Sequence, residues 1–172
     1  MELYWLATAI VLLFGFVVFF GAPYVPSKRR DLAQAFDELY PLGPDDVLVD
    51  IGSGDGVVLR QAAKKGAKAV GYELNPLLVV LSRFLSRREP KVVIYLANFW
   101  KAKLPADTTV VYTFGETRDI TKMAKKVENE ALRLEKTLIF ISYAFAVPGQ
   151  KPHKTLGAYF LYKYAPLQIK KA

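Results

Sequence analysis

From Leu3 to Ala22 the chain carries no charge and is mostly apolar, "LYWLATAIVLLFGFVVFFGA". As a helix this run spans roughly 30 Å, the thickness of a hydrocarbon core. The prolines of "PYVPSK" (23–28) stop it. Beyond them the pattern becomes periodic. In "KRRDLAQAFDELY", Leu32, Ala35, Phe36 and Leu39 fall at helical spacing and predict a short amphipathic helix. "PLGPDD" is a turn. Strands and helices then alternate. "VLVDI", "KAVGYEL", "KVVIYLA", "TTVVYTF", "KTLIFISYAF" and "AYFLYKYA" read as strands. "VVLRQAAKKG", "NPLLVVLSRFLSRRE" and "DITKMAKKVENEALRL" read as helices. Gly66 closes the first of these, and Asn75 with Pro76 opens the second.

Such alternation predicts an α/β fold with a mostly parallel sheet covered on both faces. The last two strands have no clear helix between them, so the final strand is expected to run antiparallel. The expected architecture is a Rossmann-like sheet, with ligands at the carboxyl ends of its strands, preceded by one N-terminal transmembrane helix. Residues 1–25 are the expected anchor and residues 26–172 the expected soluble domain.

Charge sharpens the membrane reading. All 24 lysines and arginines follow the apolar run, and the net charge is +8. Lys28, Arg29 and Arg30 come directly after the run, whereas only Glu2 precedes it. The positive-inside rule then places the domain on the cytoplasmic side, or its mitochondrial-matrix equivalent. A cleaved signal peptide fits poorly, because there is no basic leader and Phe20 stands where a small residue is needed. A basic tethered domain is drawn to anionic headgroups, and no nucleic-acid-binding motif is present. The run "SRFLSRRE" (82–89) is either a solvated helix face or a contact for anionic lipid. The chain has no cysteine and one histidine, His153. This excludes disulfides, thiolate chemistry and cysteine-ligated zinc, and no metal site is expected.

The chemistry concentrates in "VLVDIGSGDG" (47–56). Gly52, Gly54 and Gly56 follow a buried strand and open a helix. They let the chain turn sharply and let a ligand approach the backbone. The dinucleotide pattern G-x-G-x-x-G fails at Val57, and no phosphate-loop lysine follows. Asp50-x-Gly52-x-Gly54-x-Gly56 instead resembles the first motif of Rossmann-like methyltransferases that use S-adenosylmethionine (SAM). That resemblance implies that the turn, with Ser53, lies against the methionine part of the cofactor, and that Asp50 or Asp55 meets its amino group. Glu73, at the end of the second strand, can accept from both ribose hydroxyls, with Leu74 and Asn75 beside it. The same resemblance implies that Asn98, at the end of the third strand, meets the adenine edge, with Phe99 available to pack on its ring.

The chain also resembles a narrower family, the small membrane-anchored protein lysine methyltransferases that act on the c-ring protein of ATP synthase and on the adenine nucleotide translocase. The resemblance rests on "APYVPS" (22–27), "VDIGSGDG" (49–56), "AAKKGAKAVGYELNP" (62–76) and "NFW" (98–100), and fades beyond about residue 100. The family commonly has aspartate where Asn98 stands. The resemblance implies methyl transfer from SAM to a lysine amine, on a membrane protein or one docked at the bilayer. It implies that Tyr24 and Ser27 close over the cofactor. The acceptor pocket is expected past the fourth strand, at "YTFGE" (112–116), where Glu116 is a candidate to hold or deprotonate the amine, or simply begins the next helix. Trp100 is a candidate wall of the acceptor channel, or a core aromatic. Two other readings stay open: methylation of a lipid or quinone entering from the bilayer, and a SAM-binding module without catalysis.

Overall fold

The computed structural model describes residues 2, 4, 5 and 8, 29–115 and 118–166. The apolar run lies almost wholly outside the described residues, so the anchor expected over 1–25 does too. Among the described residues no helix is long and apolar enough to cross a membrane.

The first element is the predicted amphipathic helix, in two parts. Helix α1 (Arg29–Gln34) widens into a π-helical turn over Ala35–Leu39. Leu32, Ala35, Phe36 and Leu39, the four residues picked out by spacing, are all buried. Strand β1 (Val47–Ile51), helix α2 (Val57–Lys64), strand β2 (Lys68–Glu73), helix α3 (Pro76–Leu85) and strand β3 (Val92–Leu96) follow. Strand β4 (Val110–Thr113), helix α4 (Ile120–Leu134) and strands β5 (Leu138–Tyr143), β6 (Lys154–Leu156) and β7 (Tyr159–Tyr164) complete the chain.

The seven strands form one sheet in the order β3-β2-β1-β4-β5-β7-β6. The first five run parallel, and β7 lies antiparallel to both β5 and β6. Strand β6 is absent from the sequence reading. Its three residues are too few and too polar to show a period, and it forms because β7 offers a free edge. Strand β1 is central and buried at every position, which explains an apolar run interrupted only by Asp50. Strand β3 is an edge, and only Ile94 in it is buried. The free edge is not bare: Arg83 of α3 donates from Nε and Nη2 to the Ile94 carbonyl, at 3.2 and 2.7 Å.

One core joins α1, α2 and α3 to one face of the sheet, through Leu32, Phe36, Leu59, Val79 and Tyr112. The other joins α4 and the β3–β4 connection to the opposite face, through Val49, Phe99, Leu104, Val127 and Phe140. Strand order reverses between β1 and β4, so the crevice at their carboxyl ends is the topological switch point where ligands of such sheets bind.

The β3–β4 connection has no helix to hold it. Glu130 of α4 clips it instead. Its Oε2 accepts from the Leu104 backbone N–H at 2.9 Å and from Arg133 Nη2 at 2.6 Å. Burial pushes the Glu130 carboxyl up, but the Arg133 and Leu104 hydrogen bonds and the charges of Arg133 and Lys126 outweigh it, leaving it below its usual value. A carboxylate with a lowered folded-state pKa adds stability above its unfolded pKa and loses it as pH falls through the folded value. E130Q should therefore lower the unfolding free energy by about 1–3 kcal/mol at neutral pH. Urea denaturation of both proteins should show this gap closing as the pH drops below the glutamate range of about 4.3.

Candidate cofactor and acceptor site

Strand β1 carries Asp50 into the crevice and ends at Ile51. The chain then turns over β2: the N–H groups of Gly52 and Ser53 both donate to the Tyr72 carbonyl, at 2.9 and 3.1 Å. Gly52 sits at φ +71°, in the left-handed region that side chains avoid, and a Cβ there would point into open space. The open side faces outward, where a ligand can reach the backbone. Opposite it the packing is close. A Cβ on Gly71 of β2 would come within 2.5 Å of Ser53 Oγ and 2.7 Å of Leu59 Cδ1. Gly71 is thus a site residue that the sequence reading missed. Its signal was present, since a glycine inside a strand marks close backbone approach.

Glu73 holds the turn in place. Its Oε2 accepts from Gly54 N–H at 2.9 Å, and its Oε1 accepts from Leu74 and Asn75 N–H, both at 2.8 Å. Asn75 caps α3 by accepting from Leu77 N–H at 3.0 Å, with Pro76 as the first helical residue. Asp55 Oδ1 accepts from Val57 N–H at the start of α2, and its other oxygen pairs with Arg60 at 3.2 Å. Asp50 is 2 % exposed. Burial, then the charges of Glu73 and Asp55, hold its carboxyl well above the usual range.

Three carboxylates therefore converge at the carboxyl ends of β1 and β2 around an open backbone turn. A pyrophosphate would be repelled there, whereas a ligand bearing an ammonium or a sulfonium would relieve the repulsion. SAM carries both, and its ribose offers hydroxyls to Glu73. The residues fit that group.

Asp50, Gly52, Ser53, Gly54, Asp55, Gly56, Glu73, Leu74 and Asn75 all come together at this crevice. Leu74 is 56 % exposed at its mouth, beside Leu96, which pairs in register with Glu73. Asn98 lies just past β3, and its Oδ1 accepts from Trp100 N–H at 2.9 Å. That local turn swings Phe99 inward. Phe99 is only 5 % exposed and packs between Tyr72 and Trp100, at centroid distances of 6.1 and 5.8 Å. Its ring belongs to the core and does not line the mouth, contrary to the role expected for it against adenine. Trp100 is half-buried against α4, with Lys122 Nζ 4.3 Å above its ring. Tyr24, Ser27 and Glu116 lie outside the described residues. Among the described residues no cluster of histidine, aspartate or glutamate could hold a metal ion.

Past the fourth strand, where the acceptor pocket is expected, Phe114 meets two aromatic residues that the sequence reading did not single out. At the carboxyl ends of β4 and β5, Phe114 lies 5.1 Å from Tyr143 and 6.5 Å from Phe145. Between the last two stands Ala144 at φ +69°, a strained conformation for a residue with a Cβ. Its N–H donates to the Ala158 carbonyl at 2.8 Å, and Ser142 Oγ donates to the Phe145 carbonyl at 2.6 Å. The left-handed step turns Phe145 back towards Phe114. All three rings are partly exposed, and they border the same crevice one strand beyond the glycine turn.

The glycine turn at the switch point, the acidic strand ends and the five parallel strands closed by an antiparallel one define the class I SAM-dependent methyltransferase fold. The chain belongs to the family of the ANTKMT methyltransferase domain, whose profile matches residues 50–154. It is 38% identical over 139 residues to the lysine N-methyltransferase of Rattus norvegicus that acts on the ATP synthase c-ring protein, and 41% identical over 138 residues to the enzyme of the same name from Homo sapiens. These alignments cover 78% of this chain but only 61% and 57% of the two relatives. Among solved structures, an RNA methyltransferase from Salinibacter ruber in complex with S-adenosyl-L-homocysteine superimposes with a TM-score of 0.72, at 24% identity, covering 86% of this chain and 98% of that one. The likeness to that enzyme is one of fold.

Asp50 links stability to ligand affinity. An acid whose folded pKa is raised destabilises the fold as pH rises above its unfolded value, because ionisation is harder in the folded state. D50N should therefore raise the melting temperature of the ligand-free protein at pH 7–8, with the advantage fading at acid pH. The same change should weaken SAM binding about 10- to 150-fold, the loss expected for one charge-assisted contact of roughly 1.5–3 kcal/mol. Thermal melts and calorimetric titration of the two proteins check the opposed signs.

Proposed function

We propose that the protein is a membrane-anchored methyltransferase that moves a methyl group from SAM to a lysine side chain of a membrane protein. The observation that carries this reading is the 38–41% identity to lysine N-methyltransferases across the cofactor turn and the strands that bound the acceptor crevice. The substrate for which those relatives are named, the ATP synthase c-ring protein, indicates the kind of acceptor: a protein with a lysine at or near a bilayer. The run from Leu3 to Ala22, followed by Lys28, Arg29 and Arg30, supports one membrane span with the domain on the positively flanked side.

When bound, SAM supplies a methyl group on a positively charged sulfur, and the bonding electrons stay with the sulfur on transfer. The protein's task is alignment and proton management. Asp50 and Asp55 would face the cationic end of the cofactor, Glu73 would accept from its ribose hydroxyls, and the open Gly52 backbone would allow it close approach. Alignment of this kind supplies roughly 7–11 kcal/mol in favourable cases. The acceptor amine must arrive neutral, because an ammonium has no lone pair, and a free lysine titrates near 10.4. Phe114, Tyr143 and Phe145 form an apolar border that strips water from the incoming side chain, which lowers its pKa. Glu116, two residues after Phe114 in sequence, is the candidate for removing the proton.

Incubation of the protein with methyl-labelled SAM and membranes tests the reading. Label should enter the protein fraction and be recovered as methylated lysine after hydrolysis. The rate should rise up to about tenfold per pH unit on the acid side of the bound amine's pKa. Label in the organic phase would replace the protein acceptor with a lipid or quinone. Cofactor binding with no transfer to either fraction would leave a non-catalytic SAM-binding module.

A further inference from the structure

Helix α3 is turned inside out. Its inward positions, Val79, Ser82 and Ser86, are small, and the two serine hydroxyls are buried with no hydrogen-bond partner. Its outward positions are Leu77, Val80, Leu81, Phe84 and Leu85, all exposed; Val80 is 65 % and Phe84 61 % accessible. Spacings of three and four residues put Leu77, Val80, Leu81 and Phe84 on one face, directly opposite the sheet. In water this arrangement forfeits burial at every large side chain. Contiguous apolar surface of this kind marks an interaction site.

Charge and chain path select the occupant. From Pro76 to Arg88 there is no acidic residue, and Arg87 and Arg88 end the stripe. Arg87 lies over the Phe84 ring at 4.4 Å, so its stem covers the apolar face while its charge remains at the border. Apolar side chains rimmed by arginine suit the boundary between acyl chains and anionic headgroups. The apolar run 3–22 joins the domain through residues 23–28, which reach at most about 20 Å when extended. That linker enters α1, and α1, α2 and α3 share one core on one face of the sheet. A span formed by the run would hold that same face against the bilayer.

We propose that the outer face of α3 is a second membrane contact, lying in the interface of a bilayer that bears anionic phospholipid. The inference goes beyond the methyl-transfer reading and does not depend on the acceptor. It uses the proposed span only to choose the occupant. With the cofactor mouth at Leu74 immediately before α3, the contact would fix the height of the crevice above the membrane.

The absence of cysteine from the chain makes single labelling sites simple to build. The full-length variants Val80→Cys, Phe84→Cys and Asn129→Cys, the last an exposed position of α4 on the opposite face of the sheet, would each carry a nitroxide. Each would be reconstituted in vesicles of phosphatidylcholine and phosphatidylglycerol. Flotation reads the span; relaxation by oxygen and by an aqueous nickel chelate reads the depth of each label. The expected result is gained oxygen access and lost nickel access at positions 80 and 84, with position 129 remaining open to nickel. Adding R87E and R88E should return positions 80 and 84 to the aqueous side. Three results would overturn the proposal. Flotation with positions 80 and 84 as open to nickel as position 129 would defeat it while sparing the span. Loss of both oxygen and nickel access would show that protein, such as the chain's own N-terminal run or a second copy, covers the face. Failure to float would remove the span and this contact together.

Discussion

The site depends on one carboxylate. Glu73 accepts three backbone N–H groups, one from the glycine turn after β1 and two from the chain leaving β2. Neighbouring strands in a parallel sheet fix each other's register but leave the loops at their ends free. Here a single side chain fastens the two loops together. Without that bond the turn over Tyr72 would have no constraint on its outer side, and the backbone that must receive the cofactor would be free to fluctuate. Glu73 is therefore a scaffold group, and deleting it would not separate that role from the ribose contact proposed for it.

The same arrangement carries a cost. Asp50, Asp55 and Glu73 share the carboxyl ends of two adjacent strands, and Asp50 is deeply buried. Asp55 has Arg60 to answer its charge, and Glu73 is solvated by backbone N–H groups. The charges acting on Asp50 are both negative. A site so balanced is strained when empty and relieved by a cation, the polarity expected of an aminosulfonium pocket and the reverse of that in a nucleotide phosphate site.

Much of this could be read from sequence because it is local. Strand β1 announced itself as an apolar run ending in an acid, and Asn75-Pro76 announced the start of α3 by cap chemistry. The antiparallel last strand followed from a connection too irregular to hold a crossover helix. What could not be read was set by distant partners. Strand β6 exists only because β7 leaves an edge to pair with. The need for Gly71 arises from Ser53 and Leu59, which sequence separates from it. Phe99 stands next to Asn98 in "NFW" and was expected to share its role, yet a single turn through the Asn98 side chain sends it into the core. The Phe114, Tyr143 and Phe145 group depends on a left-handed Ala144, a conformation that alanine does not advertise. The apolar outer face of α3 was legible as hydrophobicity, but only the fold says which of its sides looks outward.

The guanidinium of Arg83 on the Ile94 carbonyl has a consequence beyond helix placement. Carbonyls along the outer side of an edge strand invite a strand from another molecule, and sheet extension of this kind seeds aggregates. At the membrane proposed for this chain, copies confined to two dimensions would meet edge to edge far more often than in bulk solution. A bulky fixed cation in the middle of β3 blocks that growth without shortening the strand.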